Sequence, residues 1–125
     1  FRFFPTPVSL LKKLIFGTKG NYNLITFKKT LKIEWVSGMF MLFKSKDFKK
    51  IGGFDSRFFM YYEDIDICTR LWSKNLKVYG TIKAQVEHKG DRKSHRNLKY
   101  FKIHIASILI FFYKHLFRFP NIKKI

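Results

Sequence analysis

The chain has 125 residues, of which 26 are Lys or Arg and 8 are Asp or Glu, giving a formal net charge of +18. Hydrophobic residues make up 46% of the sequence, which excludes a disordered chain and suits one domain with a modest core. A single cysteine, Cys68, excludes an internal disulfide, and no apolar run reaches the roughly 18 residues of a membrane span.

The N-terminal part of the sequence predicts a helix followed by a buried strand. Apolar and basic residues recur with helical spacing over Val8–Phe16, and glycines end that stretch. Glu34–Lys44 is almost continuously apolar, which is typical of a buried strand. Gly38 lies inside this run, and a glycine within a strand often marks the close approach of a ligand or another backbone.

Two further helices are predicted on either side of an aromatic loop. Ser45 begins a short helix, which a glycine pair stops. Phe54–Tyr62 should then form an irregular loop rich in aromatic side chains. From Glu63 onward, apolar residues return at helical spacing, and Asn75 suits the left-handed residue that ends such a helix.

The C-terminal part of the sequence predicts a strand, a polar loop and a long helix. Leu76–Ile82 alternates as a strand does, and Val86–His88 follows as the end of a strand. Asp91–Asn97 is polar and basic, which is typical of a loop. Leu98–Phe119 repeats apolar residues at three- and four-residue spacing, which predicts a helix.

Half of the acidic residues lie within one short stretch of this basic chain, and they are Asp55, Glu63, Asp64 and Asp66. Aromatic side chains flank them on both sides and should strip water from any carboxylate they cover, which raises its pKa. Adjacent acids also repel each other. One of these acids should therefore hold a proton readily near neutral pH, as a general base must.

From the residues alone, each acid also has a structural interpretation. Asp64 is either a general base or a carboxylate at a helix start, favoured there by the helix dipole or paired with Arg70. Asp66 lies four residues before Arg70 and should form a salt bridge with it. Asp55 should cap the aromatic loop, and Cys68 should be a small core residue.

Three sequence blocks resemble the motifs of a known protein family. They are Trp35-Val36-Ser37-Gly38-Met39-Phe40-Met41-Leu42, then Gly52-Gly53-Phe54-Asp55-Ser56-Arg57-Phe58-Phe59-Met60-Tyr61-Tyr62-Glu63-Asp64-Ile65-Asp66-Ile67-Cys68-Thr69-Arg70, then Val86-Glu87-His88. Together they span about residues 30–115 and resemble the C-terminal half of the catalytic domain of family 2 glycosyltransferases, in the rhamnosyltransferase-like branch. The resemblance implies an α/β protein: a partial GT-A domain (nucleotide-diphospho-sugar transferase-like) that lacks the N-terminal nucleotide-binding half.

The resemblance implies an enzyme that moves a sugar, with inversion, from a nucleotide-sugar donor to a saccharide or lipid-linked acceptor. It would be a hexosyltransferase of cell-surface polysaccharide synthesis, with rhamnose as the sugar that the branch suggests. The family's Glu-Asp pair supplies the general base, which falls on Asp64, with Glu63 as a partner that orients the acceptor. The family's Ser-Gly strand borders the donor sugar and the acceptor, which points to Trp35, Ser37 and Gly38.

The resemblance also implies a divalent metal, Mn²⁺ or Mg²⁺, with His88 as one ligand. In this family carboxylates of an Asp-x-Asp motif bind the metal, and no such motif lies upstream of the Ser-Gly strand here. Asp64-Ile65-Asp66 has that spelling but belongs to the acceptor-side motif. We therefore expect the remaining ligands to lie outside this chain. The 125 residues should be one partial domain, residues 1–97 followed by an amphipathic helix at 98–119, and inactive in isolation.

Two other functions stay open at this point. The chain could be a non-catalytic remnant of such an enzyme, or a basic module that binds a membrane surface or a nucleic acid. The charge of +18 suits phosphate groups. However, no zinc-ligand spacing, helix-turn-helix pattern or RNP-like aromatic motif is present, so the sequence disfavours nucleic acid.

The helix predicted over Leu98–Phe119 has two interpretations as well. It packs on its own domain, or it lies at the surface of an anionic membrane and brings the active site to a lipid-linked acceptor. The cations available for the second role are Lys99, Lys102, Lys114 and Arg118. A cytoplasmic protein, peripheral at the inner face of the membrane, would follow from that role.

Overall fold

The computed structural model describes residues 3–16, 30–81, 83–84, 86–88, 97–116, 118 and 120. In chain order the elements are α1 (Pro7–Phe16), β1 (Leu31–Lys32), α2 (Ser45–Lys50), α3 (Glu63–Ser73), β2 (Tyr79–Gly80) and α4 (Leu98–His115). The two strands pair antiparallel, with Leu31 opposite Gly80 and Lys32 opposite Tyr79. The molecule is thus a mixed arrangement of helices and short strands.

The helices lie close to their predicted positions because their end signals are satisfied. At the end of α3, the Asn75 N–H donates to the Trp72 carbonyl at 3.0 Å, and the Leu76 N–H donates to the Leu71 carbonyl at 2.9 Å. With φ of 57° at Asn75, these bonds form a Schellman motif. The prediction of a left-handed residue at Asn75 is confirmed.

α4 begins at a side-chain cap and ends earlier than the sequence predicts. The side-chain oxygen of Asn97 accepts a hydrogen bond from the Lys99 N–H at 2.9 Å, which satisfies one of the free N–H groups of the first turn. Leu116 adopts φ of 47° and stops the helix. The predicted end, Phe119, lies outside the described residues, as does most of the predicted loop at 91–97.

The buried strand predicted over Glu34–Lys44 is wrong. The Ile33 N–H donates to the Val78 carbonyl at 3.0 Å, but a turn follows at Gly38–Met39, and Leu42 is 93% exposed. Continuous apolar sequence indicates a strand only where a second strand takes up its backbone bonds. Here a carboxylate of α3 takes up the N–H of Gly38 instead.

The later strand predictions are only partly met. The strand expected over Leu76–Ile82 is confined to Tyr79–Gly80, and Ile82 lies outside the described residues. Val86–His88 forms no regular element and is exposed.

The core forms around α3. Ile67 and Cys68 have no exposure to water, and the Trp72 side chain is almost fully enclosed. The Trp72 indole N–H donates to the carbonyls of Ile33 and Glu34 at 3.2 and 3.0 Å, which ties α3 to the chain after β1. The other buried apolar residues in the described part of the chain are Phe4, Ile33, Trp35, Phe58, Tyr62, Ile65, Leu71, Val78, Phe111 and Phe112.

A carboxylate with 0% exposure, Asp66, lies within this core and meets two cationic side chains and a histidine. Arg70 Nε lies 2.8 Å from Asp66 Oδ2, while Lys114 Nζ and His115 Nε2 lie 2.7 and 2.9 Å from Oδ1. The predicted Asp66–Arg70 salt bridge is confirmed. The two contacts from α4 were not predicted, and they fasten α4 to α3.

The same ion cluster fixes the aromatic loop. Lys114 Nζ also lies 2.7 Å from Asp55 Oδ2, and the Arg57 N–H donates to Asp55 Oδ1 at 3.0 Å. Asp55 therefore caps the loop, as the sequence predicts. Arg70 donates to the carbonyls of Ile51 and Gly53 at 2.6 and 2.7 Å, at the start of the loop.

We expect Asp66→Asn to lower the free energy of unfolding by about 3–5 kcal/mol, because the substitution leaves buried cations without their counter-charge. Urea unfolding at neutral pH, followed by tryptophan fluorescence, measures the difference. The matched control is Asp47→Asn on α2, a partly exposed acid in no ion pair among the described residues. This control should change stability by less than about 0.5 kcal/mol.

The pH dependence of this difference has a definite sign. Burial by itself would raise the pKa of Asp66, but hydrogen bonds from His115 and Lys114 and the charge of Arg70 outweigh burial and lower it. A carboxylate with a lowered folded pKa stabilises the fold above its unfolded value of about 3.9 and loses that contribution as pH falls through the folded value. The gap between wild type and Asp66→Asn should shrink below about pH 4. A gap that stays constant there would contradict this role.

Candidate functional site

The candidate site forms where the aromatic loop turns into α3. Tyr61 and Tyr62, the last two residues before the helix, both adopt φ of 67°. A left-handed backbone is uncommon for bulky residues and costs on the order of 1–3 kcal/mol at each position. Such conformations persist only where the surrounding structure enforces them. Here the strained pair determines the direction in which Glu63 and Asp64 leave the loop.

α4 supplies the contacts that hold this strained pair. The ring of His104 lies edge-on to the rings of Tyr61 and Tyr62, with centroid distances of 4.8 and 5.7 Å. The Ser107 hydroxyl donates to the Met60 carbonyl at 2.8 Å. Three consecutive loop residues thus rest on one face of α4.

Backbone N–H groups hold the Asp64 carboxylate on both of its oxygens. The Gly38 N–H donates to Oδ2 at 2.9 Å, and the Ile65 N–H donates to Oδ1 at 2.8 Å. Asp64 is therefore held in one orientation, between Gly38 and the first turn of α3.

Gly38 lies directly against the two acids. A Cβ atom at this position would stand 3.5 Å from Asp64 Cβ and 3.5 Å from Glu63 Oε1. That is ordinary van der Waals contact, so a methyl group would fit but a longer side chain would displace an acid. The sequence predicts the approach of a ligand or another backbone at Gly38, and the structure places side chains of α3 there.

Glu63 is half-buried beside Asp64, and it has the raised pKa that the sequence predicts for one acid of the group. Burial raises the pKa of Glu63, a backbone hydrogen bond opposes this in part, and the charge of Asp64 raises the pKa further. Its Oε2 atom is buried and has no hydrogen-bond partner among the described residues. Such an atom can hold a proton or bind a hydroxyl group.

The predicted substrate-binding residues divide into two groups. Ser37 and Gly38 lie at the acids, Ser37 being half-buried and Gly38 bonded to Asp64. Trp35 is 6% exposed, and its indole N–H donates to the Phe3 carbonyl at 2.8 Å. These contacts favour the core role for Trp35 over stacking on an acceptor.

The described residues do not make a metal site by themselves. His88 is exposed, and no group of three or more His, Cys, Asp or Glu side chains within the described part of the chain could hold a metal ion. Asp66, the second acid of the Asp64-Ile65-Asp66 sequence, is enclosed by cations on the far side of α3. Asp66 is therefore engaged in structural ion pairs.

Cys68 has no exposure to water, and burial raises the pKa of its thiol to about 12. The interpretation of Cys68 as a core residue is confirmed.

Sequence reasoning missed the residues that support the site from α4. The sequence predicts that Lys114 is a surface cation, and it assigns no role to His104 or His115. The sequence did offer a signal for the ion cluster. An acid among the apolar residues of a helix becomes buried and then needs cations beside it. No comparable signal identifies His104, since its partners become neighbours only through the left-handed turn at Tyr61 and Tyr62.

Comparisons with known proteins identify the family of the chain. Residues 21–107 match the family model described as the N-terminal domain of galactosyltransferase. The chain belongs to this glycosyltransferase family. It is also 51% identical over 39 residues to rhamnosyltransferase WbbL of Escherichia coli K12. That match covers 31% of the chain and 15% of WbbL.

A longer match is to N-acetylglucosaminyl-diphospho-decaprenol L-rhamnosyltransferase of Mycobacterium tuberculosis, in strains CDC 1551 and H37Rv. Identity is 34% over 80 residues, covering 63% of the chain and 26% of the relative. The resemblance to rhamnosyltransferases is confirmed, and the mixed fold is consistent with a partial glycosyltransferase domain. The chain spans about a quarter or less of the length of these relatives. No solved structure matches the chain.

Glu63 gives the chain a measurable pH dependence of stability. Because its pKa is raised in the folded state, Glu63 binds its proton more tightly in the folded chain than in the unfolded chain. The free energy of unfolding therefore falls as pH rises above the ordinary glutamate pKa of about 4.3. We expect Glu63→Gln to remove this fall, so that the variant gains on wild type between acidic and neutral pH. Urea unfolding at a series of pH values measures it.

The matched control is Glu87→Gln, which changes an exposed acid and should leave the wild-type pH dependence in place. Parallel stability curves for wild type and Glu63→Gln would contradict the assignment.

Proposed function

We propose that this chain carries the acceptor side and the catalytic base of an inverting glycosyltransferase. The observation that supports this most directly is the pair of acids that lies against Gly38 at the start of α3. The chain that carries this pair belongs to a glycosyltransferase family. The proposal includes a partial GT-A domain, with donor binding dependent on residues outside these 125. We therefore expect the isolated chain to be inactive.

In the proposed reaction, an acceptor hydroxyl oxygen attacks the anomeric carbon of the donor sugar. The bond from that carbon to the diphosphate breaks on the opposite side, and the nucleoside diphosphate leaves with the electron pair. The hydroxyl proton passes to Asp64. A carboxylate fixed by two N–H groups suits this step, because its oxygens have a constant orientation.

Glu63 would orient the acceptor hydroxyl for this attack. Its buried Oε2 lacks a partner among the described residues, and its raised pKa allows it to keep a proton that it can donate in a hydrogen bond. Two neighbouring acids with different environments can thus take different roles.

The relatives suggest the sugar and the acceptor. The names of both relatives describe rhamnosyl transfer. The mycobacterial name also describes an acceptor joined to decaprenol through a diphosphate. We therefore propose transfer of a hexose, with rhamnose as the first candidate, to a saccharide or lipid-linked acceptor in the synthesis of a cell-surface polysaccharide.

We expect Asp64→Asn to abolish sugar transfer while leaving donor binding nearly intact, since a positioned base is typically worth about 10²–10⁴-fold in rate. The assay is transfer from a nucleotide-sugar donor by the polypeptide that carries these residues in the cell, with donor affinity measured by calorimetry. Asp47→Asn on α2 is the control and should keep full turnover. An Asp64→Asn enzyme that retains more than about a tenth of its rate would overturn the assignment.

The metal role of His88 stays a prediction. An imidazole alone does not fix Mn²⁺ or Mg²⁺, which prefer several oxygen ligands, so the remaining ligands would come from outside this chain. His88→Ala should then raise the metal concentration needed for half-maximal transfer, and Lys83→Ala, a nearby exposed residue, should not. The isolated chain should bind no metal at His88. Unchanged metal dependence in His88→Ala would exclude this role.

A further inference from the structure

α4 has an inner and an outer face with different surroundings. Ser107 and Phe111 on the inner face are buried against the loop and the core. The outer face is apolar and exposed, and it consists of Leu98, Phe101, Ile105, Leu109, Tyr113 and Leu116. Leu109 is 65% exposed and Tyr113 is 81% exposed. The packing role that the sequence allowed for this helix therefore accounts for only one of its faces.

The outer face combines apolar side chains with positive charge. Lys99 and Lys102 are exposed on the same helix, and α4 contains no acidic residue. Lysine stems can lie along an apolar surface while their ammonium groups reach a charged boundary. Lys114, which the sequence counted among these cations, is instead held at Asp55 and Asp66 on the inner side. The positive charge of the outer face thus comes from the N-terminal half of α4.

We propose that the outer face of α4 docks on an anionic lipid surface. A lipid interface matches both properties of the face, because its acyl region accepts apolar side chains and its headgroups attract lysines. Within the described residues no helix is long and apolar enough to cross a membrane. An α4 that lies in the plane of the surface is consistent with that finding.

A second copy of the chain fits this face less well. Each copy carries a net charge of +18, and an α4 without acids offers no counter-charge to the lysines of another α4. Repulsion between copies would therefore oppose this contact, whereas the same charge favours an anionic surface.

The position of α4 gives docking a consequence for the site. The inner face contacts Met60, Tyr61 and Tyr62, and Glu63 follows directly. A helix with its side chains is about 10–12 Å across, so docking would hold the loop before the acids about that far from the lipid. A lipid-linked acceptor could then reach the site without leaving the membrane. This consequence rests on the proposed function, while the docking itself does not.

Vesicle co-sedimentation of the polypeptide that carries these residues in the cell tests the proposal. We expect binding to vesicles of phosphatidylcholine mixed with phosphatidylglycerol at low salt, weaker binding as salt rises, and little binding to phosphatidylcholine alone. Leu109→Glu should weaken binding about tenfold or more, and Lys102→Gln should weaken it less. The matched control is Leu42→Glu, which places the same charge on an exposed leucine outside α4 and should bind like wild type.

Circular dichroism establishes that each variant is folded, which is expected because both leucines are exposed. The proposal is overturned by equal binding to both kinds of vesicle, by no binding to either, or by equal losses in Leu109→Glu and Leu42→Glu. Concentration-dependent dimers that Leu109→Glu abolishes would identify a second copy as the occupant. Asp64→Asn should bind vesicles like wild type, so a failure of docking and a failure of the catalytic assignment are distinguishable.

Discussion

The arrangement of the molecule depends on one buried charge. Asp66 has no access to water, and an ion in that position is tolerated only when cations and hydrogen bonds surround it. The cations come from two helices, and one of them, Lys114, also meets Asp55 in the aromatic loop. In the observed arrangement, α3, α4 and the loop satisfy this charge together. The ion cluster therefore joins three segments that are distant in the sequence.

The geometry of the site follows from that arrangement. Once α4 is fastened to α3, His104 and Ser107 meet the end of the loop and maintain the left-handed backbone of Tyr61 and Tyr62. These contacts from α4 offset the cost of that backbone. The acids then lie beside Gly38, whose N–H holds the Asp64 carboxylate.

Local features of this chain could be predicted from sequence, and features set by distant contacts could not. Residues close together in the chain determine the helices, the left-handed Asn75, the Asp66–Arg70 pair and the clustering of the acids. The strand over Glu34–Lys44 failed because the partner of the Gly38 N–H is a side chain 26 positions later, which no apolar pattern encodes. The bonds from Lys114 and His115 to Asp66 span 48 and 49 positions and escaped prediction for the same reason.

Cys68 has a consequence for how the folded chain can be followed in solution. Its thiol is enclosed by the core and keeps its proton at any ordinary pH, since burial raises its pKa to about 12. Thiolate is the reactive form, so oxidants and alkylating reagents cannot modify this thiol at a normal rate while the chain is folded. Modification requires the core around α3 to open first. The rate of thiol labelling therefore measures how fast the segment that carries both acids opens.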